Sequence, residues 1–149
     1  MDSITQKADQ AYQLAYQAYQ LAWKSGSTPE LENIISQDAR YSYAYARDII
    51  KSRFQLGEKL ISQNPTYSYY YALNILRDRF KLGEKSISQN TEYSYRYAQN
   101  IIKGKLPEFM HNKMIAYAII NDEWAKDYFE LINGKLPEFE LINQAKNKN

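Results

Sequence analysis

Ser42, Tyr45, Ala46, Ile49, Ile50 and Arg53 stand at i, i+3, i+4, i+7, i+8 and i+11, the spacing of one apolar-to-small face of an α-helix. The pattern returns at intervals of twenty-six residues: YSYAYARDIIKSRF from Tyr41, YSYYYALNILRDRF from Tyr67 and YSYRYAQNIIKGKL from Tyr93. Ser36, Ser62 and Ser88 keep the same register, each followed by Gln. Good N-cap residues, Asp38, Asn64, Asn90 and Asp122, precede these stretches, and Pro65 stands at a first helical position, where its missing N–H costs nothing. Each long helix is expected to end near Ser52, Asp78 or Gly104. A shorter helix should follow over Gln55–Ser62, Lys81–Ser88 and Pro107–Ile120. Gly57 and Gly83 fall inside the short helices, where each costs about 1 kcal/mol relative to Ala; a close helix contact is the reason to expect there.

A diverged fourth copy follows, with WAKDYFELIN in place of the tyrosine phrase and GKLPEF at Gly104–Phe109 recurring at Gly134–Phe139. A partial copy, KSGSTPELENIIS, precedes the first. Upstream, Ala8, Ala11, Ala15, Ala18 and Ala22 form a small-residue stripe flanked by Leu14 and Leu21. Two heptads are few for a coiled coil, and a helix covering the first repeat is the simpler expectation. A 26-residue hairpin cannot bury its own apolar face and needs neighbours. The expected fold class is therefore all-α: an α-solenoid of tandem ~26-residue helical hairpins with an N-terminal capping helix. The expected division is 1–25 for the capping helix, 29–141 for the repeats and 142–149 for a polar tail, within one domain at 1–149.

The copies can be compared with one another. Columns 41, 42, 43, 45, 46 and 49 do not change in the first three, so they are expected to form the contact between repeats. Ala44 becomes Tyr70 and Arg96, Arg47 becomes Leu73 and Gln99, and Asp48 becomes Asn74 and Asn100. Lys51, Arg77 and Lys103 sit beside them at i+7. This variable stripe is either plain solvent-facing surface or a recognition surface. In the second case its residues are Ala44, Arg47, Lys51, Tyr70, Leu73, Arg77, Arg96, Gln99 and Lys103. Stacked repeats commonly bind through such continuous surfaces, and Tyr and Arg dominate many protein interfaces.

Composition narrows the function. Fifteen tyrosines are the unusual number in 149 residues. A formal net charge of +2 is mild for a polyanion binder, although Lys51, Arg77, Lys103, Arg53, Arg79 and Lys105 make a basic ladder that suits phosphates, with nucleic acid as the alternative partner. Glu58, Glu84 and Glu108 recur as well, so pairing within the fold competes with that reading. Without cysteine there is no disulfide and no thiolate ligand, which fits a reducing cytoplasm. No apolar run approaches the ~20 residues of a membrane span, and the polar N-terminus is unlike a signal peptide. There is one histidine, His111, and no HExxH, phosphate loop or G-x-S-x-G motif, so neither enzyme chemistry nor a cofactor or metal is expected.

The stretch YRYAQNIIKGKLPEF resembles a short tandem helical repeat of bacteriophage and other viral proteins, close to Y-A-x-x-Y-A-x-x-V-I-K-G-R-W/F-P-E-x-E. Tyr97, Ala98, Ile101, Ile102, Lys103, Gly104, Lys105, Pro107 and Glu108 fit it, as do Gly134, Lys135, Pro137 and Glu138. The first two copies depart, with Gln55 and Lys81 in place of Pro. The resemblance covers about Pro29 to Leu141. It implies a helical array and a phage origin; the family has no general activity to carry over, and analogy with phage accessory proteins that block host proteins gives the expectation of a non-enzymatic inhibitor that binds a host or viral protein in the host cytoplasm.

Overall fold

A computed structural model of the chain describes residues 3–133, all of whose regular elements are helical. The second GKLPEF segment and the tail at 142–149 lie outside the described residues. Helix α1 spans Ser3–Ser25 and α2 spans Pro29–Ile35. The three tyrosine phrases open as α3 (Ala39–Ala44), α5 (Pro65–Tyr71) and α7 (Thr91–Tyr97). Short helices α4 (Glu58–Ile61) and α6 (Glu84–Ile87) follow the first two, each entered through a 3₁₀ turn, Gln55–Gly57 or Lys81–Gly83. Helices α8 (Glu108–Ile119) and α9 (Glu123–Asn133) complete the described chain. Successive long helices touch, from α1 to α3, α5, α7 and α9, and each short helix packs between long ones.

The expected caps are present. Asp38, Asn64, Asn90 and Asp122 accept from the backbone N–H of Tyr41, Tyr67, Tyr93 and Ala125 at 2.9–3.1 Å. The unchanging serines are fully buried. Ser42, Ser68 and Ser94 donate to the carbonyls of Ile35, Ile61 and Ile87, the last residues of the preceding short helices, at 2.8–3.1 Å. This satisfies carbonyls that a helix end would otherwise leave open.

The ends of the long helices depart from expectation. Over Tyr45–Ile49, Ala72–Leu76 and Ala98–Ile102 the helix passes into a π turn. Each i→i−5 bond takes one more residue per turn, so i+7 and i+11 spacings carried across it no longer mark one face. Lys51, Arg77 and Lys103 then adopt left-handed backbone, with φ of 50°, 53° and 56°. The next N–H of each, on Ser52, Asp78 and Gly104, donates six residues back to the carbonyl of Ala46, Ala72 or Ala98 at 3.1–3.3 Å. These three cations therefore belong to the turn after the helix. Arg53, read as an inward position, is 55% exposed in its side chain and sits beyond the helix.

The core is built from the constant columns. Tyr45, Tyr71, Tyr97 and Tyr128 are fully buried, as are Ala46, Ala72 and Ala98, and Ile35, Ile61 and Ile87. The hydroxyl of Tyr71 accepts from the N–H of Phe54 at 2.8 Å and donates to Glu58 at 3.0 Å. Tyr97 repeats this with Phe80 and Glu84 at 3.0 and 3.1 Å. Tyr45 donates to Glu32, one repeat earlier in register, at 2.6 Å. Tyr128 accepts from the N–H of Leu106 at 3.1 Å and meets Nδ1 of His111 at 2.7 Å, so the single histidine stands where the carboxylate stands in the other units.

Gly57 and Gly83 are explained by close approach. A Cβ on Gly57 would lie 2.5 Å from Cβ of Ser42, and one on Gly83 would lie 2.6 Å from Oγ of Ser68. A Cβ on Gly104 would meet nothing within 4 Å. Gly83→Ala is therefore expected to lower stability by about 1–3 kcal/mol through overpacking, whereas Gly104→Ala should leave it unchanged or raise it by about 0.4–1 kcal/mol. Urea titrations followed by circular dichroism check this order.

Tyr71→Phe should cost about 1–3 kcal/mol, because it leaves the buried Phe54 N–H without a partner and takes one hydrogen bond from the Glu58 carboxylate, which keeps its two from Arg53. Tyr70→Phe, at an exposed hydroxyl, should change stability by less than about 0.5 kcal/mol in the same titration.

Candidate functional site

The residues of the variable stripe fall into two groups. Ala44, Tyr70 and Arg96 form one column on α3, α5 and α7, and Arg47, Leu73 and Gln99 form a second within the π turns. Lys51, Arg77 and Lys103 stand apart from both in the left-handed turns. Ala44 is half-buried and Leu73 packs against the core. Tyr70 is 37% exposed, with its ring 6.5 Å from Tyr43 and 6.2 Å from Tyr93. Arg47 is exposed, bonded to Asp48 at 2.6 and 2.7 Å and placed over the Tyr43 ring at 5.2 Å. Arg96 pairs with Glu92 at 2.9 Å and lies 5.7 Å over Trp124. Gln99 is exposed and donates to the Tyr95 hydroxyl at 3.3 Å.

Tyr70 and Arg47 thus share Tyr43 as a neighbour, and Arg96 is held against α9. The third variable column is not free surface. Asn74 and Asn100 donate to the hydroxyls of Tyr43 and Tyr69 in the preceding unit at 2.8 and 2.9 Å. Asp48 accepts from Tyr19 of α1 at 3.2 Å. Its change from Asp to Asn follows the partner unit, so this part of the stripe is structural.

Sequence reasoning missed an aromatic band beside the stripe. Tyr12, Tyr16 and Tyr19 surround Tyr41 at 5.2–5.7 Å, Tyr43 meets Tyr67 at 6.0 Å, and Tyr69 meets Tyr93 at 5.4 Å. Tyr95 meets Trp124 at 5.6 Å. The signal was present as columns 41 and 43, but constancy alone did not distinguish rings that stack sideways between units from rings that fill the core.

The electrostatics of the group are set by burial and pairing. The ion pair with Asp48 raises the Arg47 pKa, and the bond to Arg47 holds the Asp48 carboxyl below its usual range. Burial raises the hydroxyls of Tyr45, Tyr71 and Tyr97, reinforced by Glu32, Glu58 and Glu84 respectively. Burial and the bond to Tyr12 push Tyr41 up to about 12. Among the described residues no three His, Asp or Glu side chains gather as a metal site, and no helix is long and apolar enough to cross a membrane. What the arrangement offers is contact: rings, guanidinium groups and amides on a fixed backbone.

No family model, no curated protein and no solved structure matches this chain.

The raised tyrosines make a pH prediction. A hydroxyl whose folded pKa exceeds its unfolded value keeps the proton more tightly when folded, so its contribution is complete below the unfolded pKa of about 10 and is lost as pH rises through the folded value. Helical circular dichroism should therefore hold to about pH 10 and collapse above it, together with the last part of the rise in tyrosinate absorbance, which belongs to the buried tyrosines. Completion of that rise with the helix intact would overturn this.

Proposed function

We propose that the chain is an α-solenoid of tandem ~26-residue hairpins, closed at one end by α1, that works without catalysis by binding a protein. The observation that carries this reading is a contrast between neighbouring columns. Tyr45, Tyr71 and Tyr97 are identical and fully buried, while Ala44, Tyr70 and Arg96, one residue earlier, share no chemistry. A uniform ligand would gain nothing from such irregularity, whereas a shaped protein surface uses it. The contacts of each long helix with the one before and after it support the stacked arrangement. The contacts of α1 with α2 and α3 support its role as a cap.

The partner in this reading is a host or viral protein, and the site is Tyr70 and Arg96 with Ala44, Arg47, Leu73 and Gln99 around them. The resemblance to viral tandem repeats supports a phage-encoded inhibitor working in the host cytoplasm. Tyr70 and Arg96 are the types that most often dominate an interface, at 2 kcal/mol or more, which is about thirtyfold in Kd.

Affinity capture from a bacterial lysate, followed by mass spectrometry, tests it. A specific protein should be retained by the wild-type chain and lost with Tyr70→Ala combined with Arg96→Ala, with circular dichroism unchanged. Equal retention by both would sink the stripe as the binding surface.

A further inference from the structure

The turns that follow the long helices form a surface separate from the helical stripe. Two clefts repeat there, one unit apart. The first, about 310 Å³, lies between Ile50, Arg53, Phe54 and Leu56; the second, about 480 Å³, lies between Leu76, Arg79, Phe80 and Leu82. These are the same columns in successive copies, and Arg53 borders both clefts. Leu56 and Leu82, at the rims, are 53% and 63% exposed. Packing gives no reason for a leucine to recur so far out in water.

The arginines are already fixed in place. Nε and Nη2 of Arg53 bond Glu58 at 2.6 and 2.9 Å, and those of Arg79 bond Glu84 at 2.8 and 3.0 Å. The carboxylates are buried while the guanidinium side chains remain 55% and 40% exposed, so each presents its other N–H groups outward in a fixed orientation. Lys51, Arg77 and the exposed Lys81 add positive charge and form no ion pair among the described residues. Each cleft also has one carboxylate in its lining, Glu32 in the first and Asp78 in the second; they accept from Tyr45 and from the N–H of Arg79 and keep their charge, which the cations around the second cleft, Arg77, Lys81 and Arg53, outnumber.

The left-handed turns point the same way. A non-glycine residue there costs about 1–2 kcal/mol, and a cation at a helix C-terminus returns only about 0.3–1 kcal/mol. Glycine is the ordinary solution, yet Lys51, Arg77 and Lys103 hold the position in all three copies.

We propose that this turn edge docks an extended acidic peptide segment whose apolar side chains enter the clefts beside Leu56 and Leu82 and whose carboxylates meet the fixed arginines, Lys51 and Arg77. Charge complementarity and the repeated leucines set the occupant. Single-stranded nucleic acid is disfavoured, because it needs exposed rings for stacking, and Phe54 and Phe80 are buried here. In the third unit Glu108 takes the place of Leu56 and Leu82, so the apolar row ends after two clefts. The inference rests on the protein-binding reading for its class of partner. It uses residues outside the helical columns, so the two can fail separately.

The probe is a fluorescent peptide of repeating Glu-Glu-Leu, measured by anisotropy with the full chain at low salt. It should bind; Leu82→Ser should weaken it about tenfold, the loss expected for one buried leucine. Arg77→Gln should weaken it and flatten the salt dependence, and a Glu-Glu-Ser peptide should not bind. Tyr70→Ala, which tests the helical stripe alone, should leave the affinity unchanged. Failure of Glu-Glu-Leu to bind, or binding indifferent to Leu82→Ser, would overturn the proposal. So would tighter binding of an oligothymidylate that Arg77→Gln abolishes and Leu82→Ser does not, which would give the edge to nucleic acid.

Discussion

One buried tyrosine hydroxyl joins each unit to the one before it. Tyr71 reaches back to accept from the Phe54 N–H, at the entry to a 3₁₀ turn where no helical carbonyl is available, and donates to Glu58, the first residue of α4 after that turn. The shape of one unit's turn is therefore completed by the next unit's helix. Glu58 in turn holds Arg53, so the orientation of that arginine is tied through the carboxylate to the tyrosine on its far side. A unit alone would expose the tyrosine and leave the Phe54 N–H open, which is why stability in such a chain resides in the junctions.

This arrangement restricts what may vary. A buried carboxylate is costly unless its oxygens are satisfied, and here two guanidinium N–H groups and a hydroxyl converge on it. The serines that close the preceding helices and the glycines that let those serines approach are bound by the same geometry. Columns 44 and 47, outside this network, carry different chemistry in every copy. The last junction shows how much tolerance remains: His111 takes the place of the carboxylate beside Tyr128, and Lys105 stands in the column of Arg53 and Arg79.

Much of the fold was legible. Caps, constant columns and short-helix positions follow from side-chain chemistry, and side chains are what a sequence displays. The π turns were not legible, because a change of backbone hydrogen-bond register leaves Tyr45–Ile49 with an ordinary helical composition. The left-handed turns were hidden for a related reason: the residue type that normally announces them, glycine, is absent from Lys51, Arg77 and Lys103. Asn74 and Asn100 were read as free because their column varies, although what varies there is the polar group that answers a neighbouring tyrosine. His111 was named only as a lone histidine, and its equivalence to Glu58 and Glu84 was hidden because one extra residue shifts it out of their column. The exposed leucines could have been found by asking which apolar residues shared by the first two copies fall outside the helical faces.

The bonds that join interior units have fixed chain spacings. Tyrosine to glutamate spans 13 residues, tyrosine to the turn N–H spans 17, and asparagine to tyrosine spans 31. None reaches beyond an adjacent unit. A duplication or deletion of twenty-six codons between the second and third copies would therefore rebuild every junction with the same partners. The first junction is marked differently: Asp48 answers Tyr19 of α1, where the interior uses asparagine. The gene can thus lengthen or shorten its product in whole units from within the array.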